Sequence, residues 1–372
     1  MLLAPSDPRL TYYAPQPVDR SQPAVRLERF PRSAYDAVRH QIGPLANLRS
    51  SSGCAVMLRT DSPWVELRLE GLRHHQCVPV GVACEVLASG EEMGKCGNGE
   101  MGDLPSSPIS PFPPSPSFPQ GLETFASADL RECESSAAVR FGTGIERGAE
   151  AALVMLWLPL ISTCRVVGVE VAGDSVVAPV EPPEPAWLAI GDSLTQGFNV
   201  QCPTQCWVHR LMRRWMMPAW NLGVAGVTIE PKVFEWALSS RRWKLVTIAL
   251  GSNHAWHEEN VATVGDRAAE MAELALSGGH ERVVWLLPSY KPCEEGKGPH
   301  EFAGVPLNLE TGQRVRRVRE LLRERLAQYA PDLEVVGDLA PRSPRYYPDG
   351  LHPFAIGFAR YADNLARALG GE

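Results

Sequence analysis

The stretch AWLAIGDSLTQGFNV, residues 186–200, decides the fold. Five mostly apolar residues run directly into Gly191-Asp192-Ser193-Leu194, and Gly197 follows. That is the pattern of a buried strand ending at a tight turn into a helix. A second Gly-Asp-Ser lies upstream at Gly173-Asp174-Ser175, so the tripeptide alone does not single out Ser193.

Downstream of Pro185 the pattern alternates. Apolar runs at 187–190, 219–224, 244–250, 282–288 and 333–339 read as strands. Between them lie helical patterns: Trp207, Leu211 and Trp215 at four-residue spacing, then RAAEMAELAL and RVRRVRELLRERLAQY. Continuous apolar strands separated by helices predict a parallel sheet covered on both faces. Five such units predict an α/β, flavodoxin-like doubly wound domain over 186–372. The arginines at 314, 316, 317, 319, 323 and 325 are interleaved with Glu320 and Glu324, which reads as a solvated helix face.

Upstream of that stretch the pattern changes. In WVELRLEGL, Val65, Leu67 and Leu69 alternate with Glu66, Arg68 and Glu70, the period of a half-buried strand. AALVMLWLP and CRVVGVEVAG also read as strands, and residues 1–177 are expected to form an all-β sandwich. A segment at 104–121 interrupts it: seven of the sixteen residues from Pro105 to Gln120 are proline. Such a segment cannot supply ladder N–H groups and has little to bury, so a disordered insertion is expected. Residues 178–185 form a proline-rich linker between the two regions.

Composition narrows the function. A net charge of −7 gives no basic footprint for nucleic acid. The longest apolar run, residues 151–161, falls short of the ~20 residues of a membrane helix. The first twenty residues lack a basic start and a long apolar run, so a cytoplasmic protein is expected. Nine cysteines without framework spacing read as mostly reduced, buried thiols. His254 and His257 are spaced as a metal pair but have no evident third ligand, and no metal or cofactor is expected. Oligomeric state is not readable.

In an open parallel sheet, ligands collect at the carboxyl ends of the strands. Ser193 follows the first strand there, whereas Ser175 precedes the linker, where a hairpin turn accounts for it. NLGVAGVT follows the second strand and offers Gly223 and Gly226. ALGSNHAW follows the third and offers Asn253 and His254, and YYPDGLHPF follows the fifth and offers Asp349 and His352. This set suits acyl transfer. A serine hydroxyl needs a base, and His352 can be that base. Asp349 can hold the imidazole tautomer. The N–H groups of Ser193 and Gly226 and the side-chain amide of Asn253 can receive an oxyanion. Each residue also has a plainer reading. Ser193 or Asp192 suits a helix cap, Asn253 a loop contact, and His352 a packed histidine. Gly223 suits backbone geometry. Trp207, Trp256, Tyr346 and Tyr347 suit either core or a substrate pocket.

The four blocks resemble the SGNH/GDSL hydrolase family, named for its Ser, Gly, Asn and His blocks. GDSLTQG resembles the first, NLGVAGVT the second, GSNH the third and DGLHP the last. The resemblance implies Ser193 as nucleophile, Gly226 and Asn253 as oxyanion donors, and Asp349 with His352. The family commonly has Asp where this chain has His254. LRTDSPWVELRL resembles the sandwich that precedes the esterase domain in some members, among them carbohydrate esterases that remove acetyl groups and an antibiotic-pathway acyltransferase. The expectation is a serine esterase acting on a small acyl ester of a carbohydrate or other polar alcohol. An acyltransferase using the same site, or a non-catalytic carbohydrate-binding protein, are the alternatives.

Overall fold

A computed structural model describes residues 1–76, 80–87, 123–130, 133–146 and 148–370. The proline-rich stretch at 104–121 lies outside the described residues.

The N-terminal region begins with β1 (Leu2–Leu3), β2 (Thr11–Tyr13), α1 (Arg32–Ala37) and α2 (Ile42–Leu48). Its strands then follow: β3 (Ala55–Thr60), β4 (Trp64–His74), β5 (Val80–Leu87), β6 (Glu123–Leu130), β7 (Cys133–Gly142), β8 (Ala152–Trp157), β9 (Ser162–Val171) and β10 (Val177–Ala178). They form two antiparallel sheets, one in the order β1-β9-β4-β7, the other β10-β3-β8-β5-β6 with β2 also on β3. Val65, Leu67 and Leu69 of β4 face Val56, Leu58, Val154 and Leu156 of the second sheet across a shared apolar core. The alternation in β4 thus has its cause in one buried face. Every residue of β8 is buried, because Val154 and Leu156 face the sandwich core while Leu153, Met155 and Trp157 face the α/β region.

Ser175 sits in a turn closed by its N–H on Ala172 O. The turn is not a hairpin: β9 and β10, on either side of it, belong to different sheets.

The C-terminal region carries β11 (Trp187–Gly191), α3 (Ser193–Gln196), α4 (Trp207–Arg214), β12 (Ala219–Gly223), α5 (Pro231–Leu238), β13 (Leu245–Ala249) and α6 (Glu258–Ser277). It continues through β14 (Val283–Leu286), a small hairpin of β15 (Glu301–Phe302) and β16 (Val305–Pro306), α7 (Leu309–Tyr329), β17 (Glu334–Val336) and α8 (Ala355–Ala368). β12-β11-β13-β14-β17 form a five-stranded parallel sheet, so strand order reverses beside the first strand. This is the doubly wound α/β arrangement expected from the sequence, preceded by an antiparallel β region. Leu188, Ile190, Val246 and Ile248 bury one face against α5, α6 and α7. Trp187, Ala189 and Leu245 bury the other against α4 and α8. α1 and α2, not marked by the sequence pattern, add Ala34 and Leu48 to the first of these cores. Among the described residues no helix is long and apolar enough to cross a membrane.

Candidate active site

Strand β11 ends at Gly191, and one helical turn begins at Ser193. The turn lies very close to the sheet. A Cβ on Gly191 would stand 2.0 Å from Thr195 Oγ1, and one on Gly223 would stand 2.1 Å from Gln196 N. Only glycine admits the turn at that height. Asp192 is the cap: its Oδ1 accepts from Leu194 N at 3.0 Å. Ser193 is therefore the first helical residue, whose N–H has no acceptor within its own helix.

The loop after β17 delivers the other half. Asp349 Oδ1 accepts from Leu351 N at 2.9 Å and from His352 N at 2.8 Å, which folds the loop back on itself. Asp349 Oδ2 is 2.7 Å from His352 Nδ1, and His352 Nε2 is 2.8 Å from Ser193 Oγ. Burial opposes ionisation of Asp349. The hydrogen bond and charge of His352, with the two backbone donors, outweigh it and hold the carboxyl down at about 2. The carboxylate thus assigns the Nδ1 proton and leaves Nε2 to face the serine hydroxyl. Asn199 Nδ2 donates to His352 O at 3.3 Å. Phe198 stacks on the imidazole with centroids 4.3 Å apart, and Phe302 of the small hairpin meets its edge at 5.4 Å.

Asn253 follows β13 in a short 3₁₀ turn. Its Nδ2 donates to Val227 O at 2.8 Å, and its Oδ1 accepts from Trp256 Nε1 at 2.8 Å. With Oδ1 tied to the indole, the amide has its NH₂ side toward the second-block loop and one N–H left over. Gly226 sits at the exposed crest of that loop with φ of 83°. His254 points elsewhere. Its Nε2 accepts from Ile229 N at 2.9 Å, and its Nδ1 lies 2.9 Å from Asn260 O. Burial lowers its pKa, so the neutral ring braces the second-block loop against the start of α6.

Ser193, Asp349, His352, Asn253 and the Gly226 loop thus converge at the strand ends, while Ser175 does not join them. Trp207 and Tyr347 are core residues, buried to 0% and 1% exposure. One role and one residue escaped the sequence reading. Trp256, expected in the core or a substrate pocket, instead orients Asn253, at a three-residue spacing that was available as a signal. Lys291 is fully buried behind the site and donates to Leu351 O at 2.6 Å. Burial pushes the Lys291 ammonium down and the Asp192 carboxyl up, and the charge of each opposes the shift of the other. Nothing in its local sequence, SYKPCE, marks Lys291 as a site residue.

A hydroxyl, an oriented imidazole, a carboxylate and converging N–H donors are the parts of an acyl-transfer site. A profile of the GDSL-like lipase/acylhydrolase family matches residues 189–360. Among solved structures, the chain is similar to a putative GDSL-like lipase from Bacteroides ovatus, with a TM-score of 0.70, 14% identity and 97% of each chain covered. It is also similar to the salicylyl-acyltransferase SsfX3 from a tetracycline biosynthetic pathway, with a TM-score of 0.66, 20% identity, and 100% and 97% of the two chains covered. A family two carbohydrate esterase from Clostridium thermocellum, in complex with cellohexaose, gives a TM-score of 0.57 at 12% identity, with 97% and 98% covered. At these identities the likeness is one of fold, and it extends across both regions. No curated protein sequence matches this chain. With the family profile spanning all four blocks, residues 189–360 of this chain form a GDSL-like lipase/acylhydrolase domain, of the SGNH hydrolase type.

Proposed function

We propose that the protein is a serine esterase that forms an acyl-Ser193 intermediate. The observation that carries this reading is the chain of contacts Ser193 Oγ–His352 Nε2 at 2.8 Å and His352 Nδ1–Asp349 Oδ2 at 2.7 Å. Ser193 Oγ attacks the ester carbonyl while its proton passes to His352 Nε2. Asp349 keeps Nδ1–H in place and stabilises the imidazolium. The tetrahedral oxyanion is received by the N–H groups of Ser193 and Gly226 and by the Asn253 amide. The imidazolium then protonates the leaving alcohol. Water, activated by the same His352, attacks the acyl carbon and frees Ser193. The substrate is a small acyl ester, such as acetate on a carbohydrate or other polar alcohol. Its support is the two-region fold shared with carbohydrate esterases.

A second reading, an acyltransferase, keeps every step but replaces water by an acceptor alcohol. What favours it is the pair of phenyl rings on His352, which screen the base from solvent, together with the fold shared with the salicylyl-acyltransferase. A fluorophosphonate probe and a panel of p-nitrophenyl esters and acetylated sugars test both readings. Wild type should be labelled and active, Ser193→Ala neither, and Ser175→Ala both. Retained activity in Ser193→Ala would overturn the proposal. Partition of the acyl-enzyme between water and added alcohols separates esterase from transferase.

A further inference from the structure

Arg29 has no exposed surface, yet it carries a full charge into the interior. All five of its N–H groups are used. Nε donates to Ser50 O at 2.8 Å, and Nη2 to Asn47 O at 2.8 Å and to Ser50 Oγ at 2.9 Å. Nη1 reaches across to the α/β region and donates to Asn221 O at 3.1 Å and Gly223 O at 2.7 Å. Its acceptors are four carbonyls and one hydroxyl, with no carboxylate among them. Burial without a counter-charge lowers its pKa to about 10. An arrangement this costly needs a reason beyond packing.

Two of the carbonyls it holds, those of Asn221 and Gly223, belong to the end of β12, and the chain running on from them is the loop to Gly226. Two further hydrogen bonds bind the same loop, both at Ala225. Asn47 Nδ2 donates to Ala225 O at 3.2 Å. Gln196, three residues after Ser193, donates to Asn47 O at 3.1 Å and to Ser50 Oγ at 2.6 Å, while its Oε1 accepts from Ala225 N at 2.7 Å. A Cβ on Gly226 would stand 3.5 Å from Pro44 Cδ. The 29–50 segment thus grips the nucleophile turn and the Gly226 loop at once.

We propose that Arg29 is a positioning residue for oxyanion stabilisation: through Asn47, Ser50 and Gln196 it fixes the Gly226 N–H relative to Ser193. This rests on the esterase reading of the site above. A donor displaced by an ångström loses transition-state stabilisation and leaves substrate binding largely intact.

The test compares Arg29→Lys, Asn47→Ala and Ser50→Ala with wild type in the full chain, with circular dichroism and melting temperature to confirm folding. Lysine keeps the charge but cannot reproduce five donors in a fork. Each folded variant should lose about tenfold to a hundredfold in kcat, by analogy with the loss of an oxyanion donor. KM should stay within about threefold. Affinity for a boronic acid, which forms a tetrahedral adduct on the serine, should fall in step with kcat/KM. The shape of the pH profile should not change, because the Asp349–His352–Ser193 contacts are untouched. In a Gly226→Ala background the clamp variants should cost little more, since alanine strained at a φ of 83° already displaces the same N–H. Wild-type kcat in the folded variants, a loss confined to KM, or full additivity with Gly226→Ala would overturn the proposal. If Arg29→Lys does not fold, Asn47→Ala and Ser50→Ala decide the matter alone. An active Ser193→Ala would instead sink the esterase reading itself, a result distinct from failure of the clamp.

Discussion

His352 Nδ1 has Asp349 against it, and no carbonyl takes that place. Asp349→Asn keeps an Oδ1 acceptor for Leu351 N and His352 N, so the loop should fold as before. Its amide would instead face Nδ1 with a donor and favour the wrong tautomer. We expect kcat to fall by about 10³–10⁴, as when a triad carboxylate becomes an amide, with the melting temperature nearly unchanged. A variant with near-full activity would mean the loop alone orients the imidazole. His254 makes a different kind of prediction. Burial lowers its pKa below the ordinary 6.5, so on acidification the unfolded chain takes up the proton first. Stability is then fully present above 6.5 and is lost as pH falls through the folded value. Protonation would also place a hydrogen on Nε2, where Ile229 N–H needs an acceptor. Between pH 7 and 5, wild type should lose more melting temperature than His254→Gln. Parallel curves would refute the brace. His280, also lowered by burial, contributes the same slope to both proteins and cancels in the comparison. Ser193, Asp349, His352 and Asn253 were legible because strand-end loops put them in short, recognisable blocks. Arg29 and Lys291 were not, because their partners lie 192 and 60 residues away in the chain and no local pattern records such a pairing.

Turn α3 shows how an element can depend on what it lacks. It is four residues long and wholly buried, and its place is set by the two glycines beneath it. Gly223→Ala would push a methyl group toward the backbone of Gln196, which cannot swing aside as a side chain could. It should destabilise the protein by several kcal/mol and reduce soluble yield, in line with overpacking at a rigid site. Near-normal melting would show that the turn can lift. The β15–β16 hairpin is the opposite case. It is a two-stranded piece, and Phe302 upon it is half-buried. Phe302→Ala should leave the melting temperature within a few degrees. We expect the loss to appear as a higher KM for bulky acyl groups, together with faster hydrolysis of the acyl-enzyme as water reaches His352. Unchanged acyl preference and unchanged partition would remove the ring from the substrate's path. The five parallel strands and the long helices were legible from continuous apolar runs and helical spacing. β8 was legible as a strand, but its unbroken apolarity did not reveal that it faces two cores. The helices α1 and α2, of six and seven residues, are too short to display a period, and Pro44 lies inside the second. Pro231 at the first position of α5 was an available start signal.

Across the whole molecule, the two regions share their interior. Met57, Met155 and Trp157 of the second sandwich sheet belong to one apolar cluster with Trp207, Leu211 and Trp215 of the α/β region. Polar contacts cross the same boundary. Tyr13 donates its hydroxyl to Ala219 O at 2.9 Å. Glu85, fully buried on β5, accepts from Trp157 Nε1 at 2.7 Å and lies 3.1 Å from His209 Nε2 of α4. Burial raises the Glu85 pKa, and His209, Arg213 and Trp157 more than reverse it, so the carboxylate stays ionised. The proline-rich stretch at the boundary suggested two bodies on a stiff connector, because composition reports where a chain is extended and not what packs across it. A separated α/β region would expose the Met212 and Trp215 face to water and leave His209 and Arg213 without Glu85. It would also leave the Gly226 loop without Arg29. The full chain should therefore melt in a single calorimetric transition, with calorimetric and van't Hoff enthalpies equal. Residues 179–372 expressed alone should be poorly soluble and should react slowly, if at all, with a fluorophosphonate. Two transitions, or a soluble fragment labelled at the wild-type rate, would show that the catalytic half folds and works alone. Glu85→Ala gives the same argument a graded form. It leaves Trp157 Nε1 and His209 unpaired in the interior, and should lower stability by about 3–5 kcal/mol, as breaking a buried ionic contact does. The single transition should move down as a unit, because the contact belongs to both regions; a new, earlier transition in only one of them would break the shared-core account.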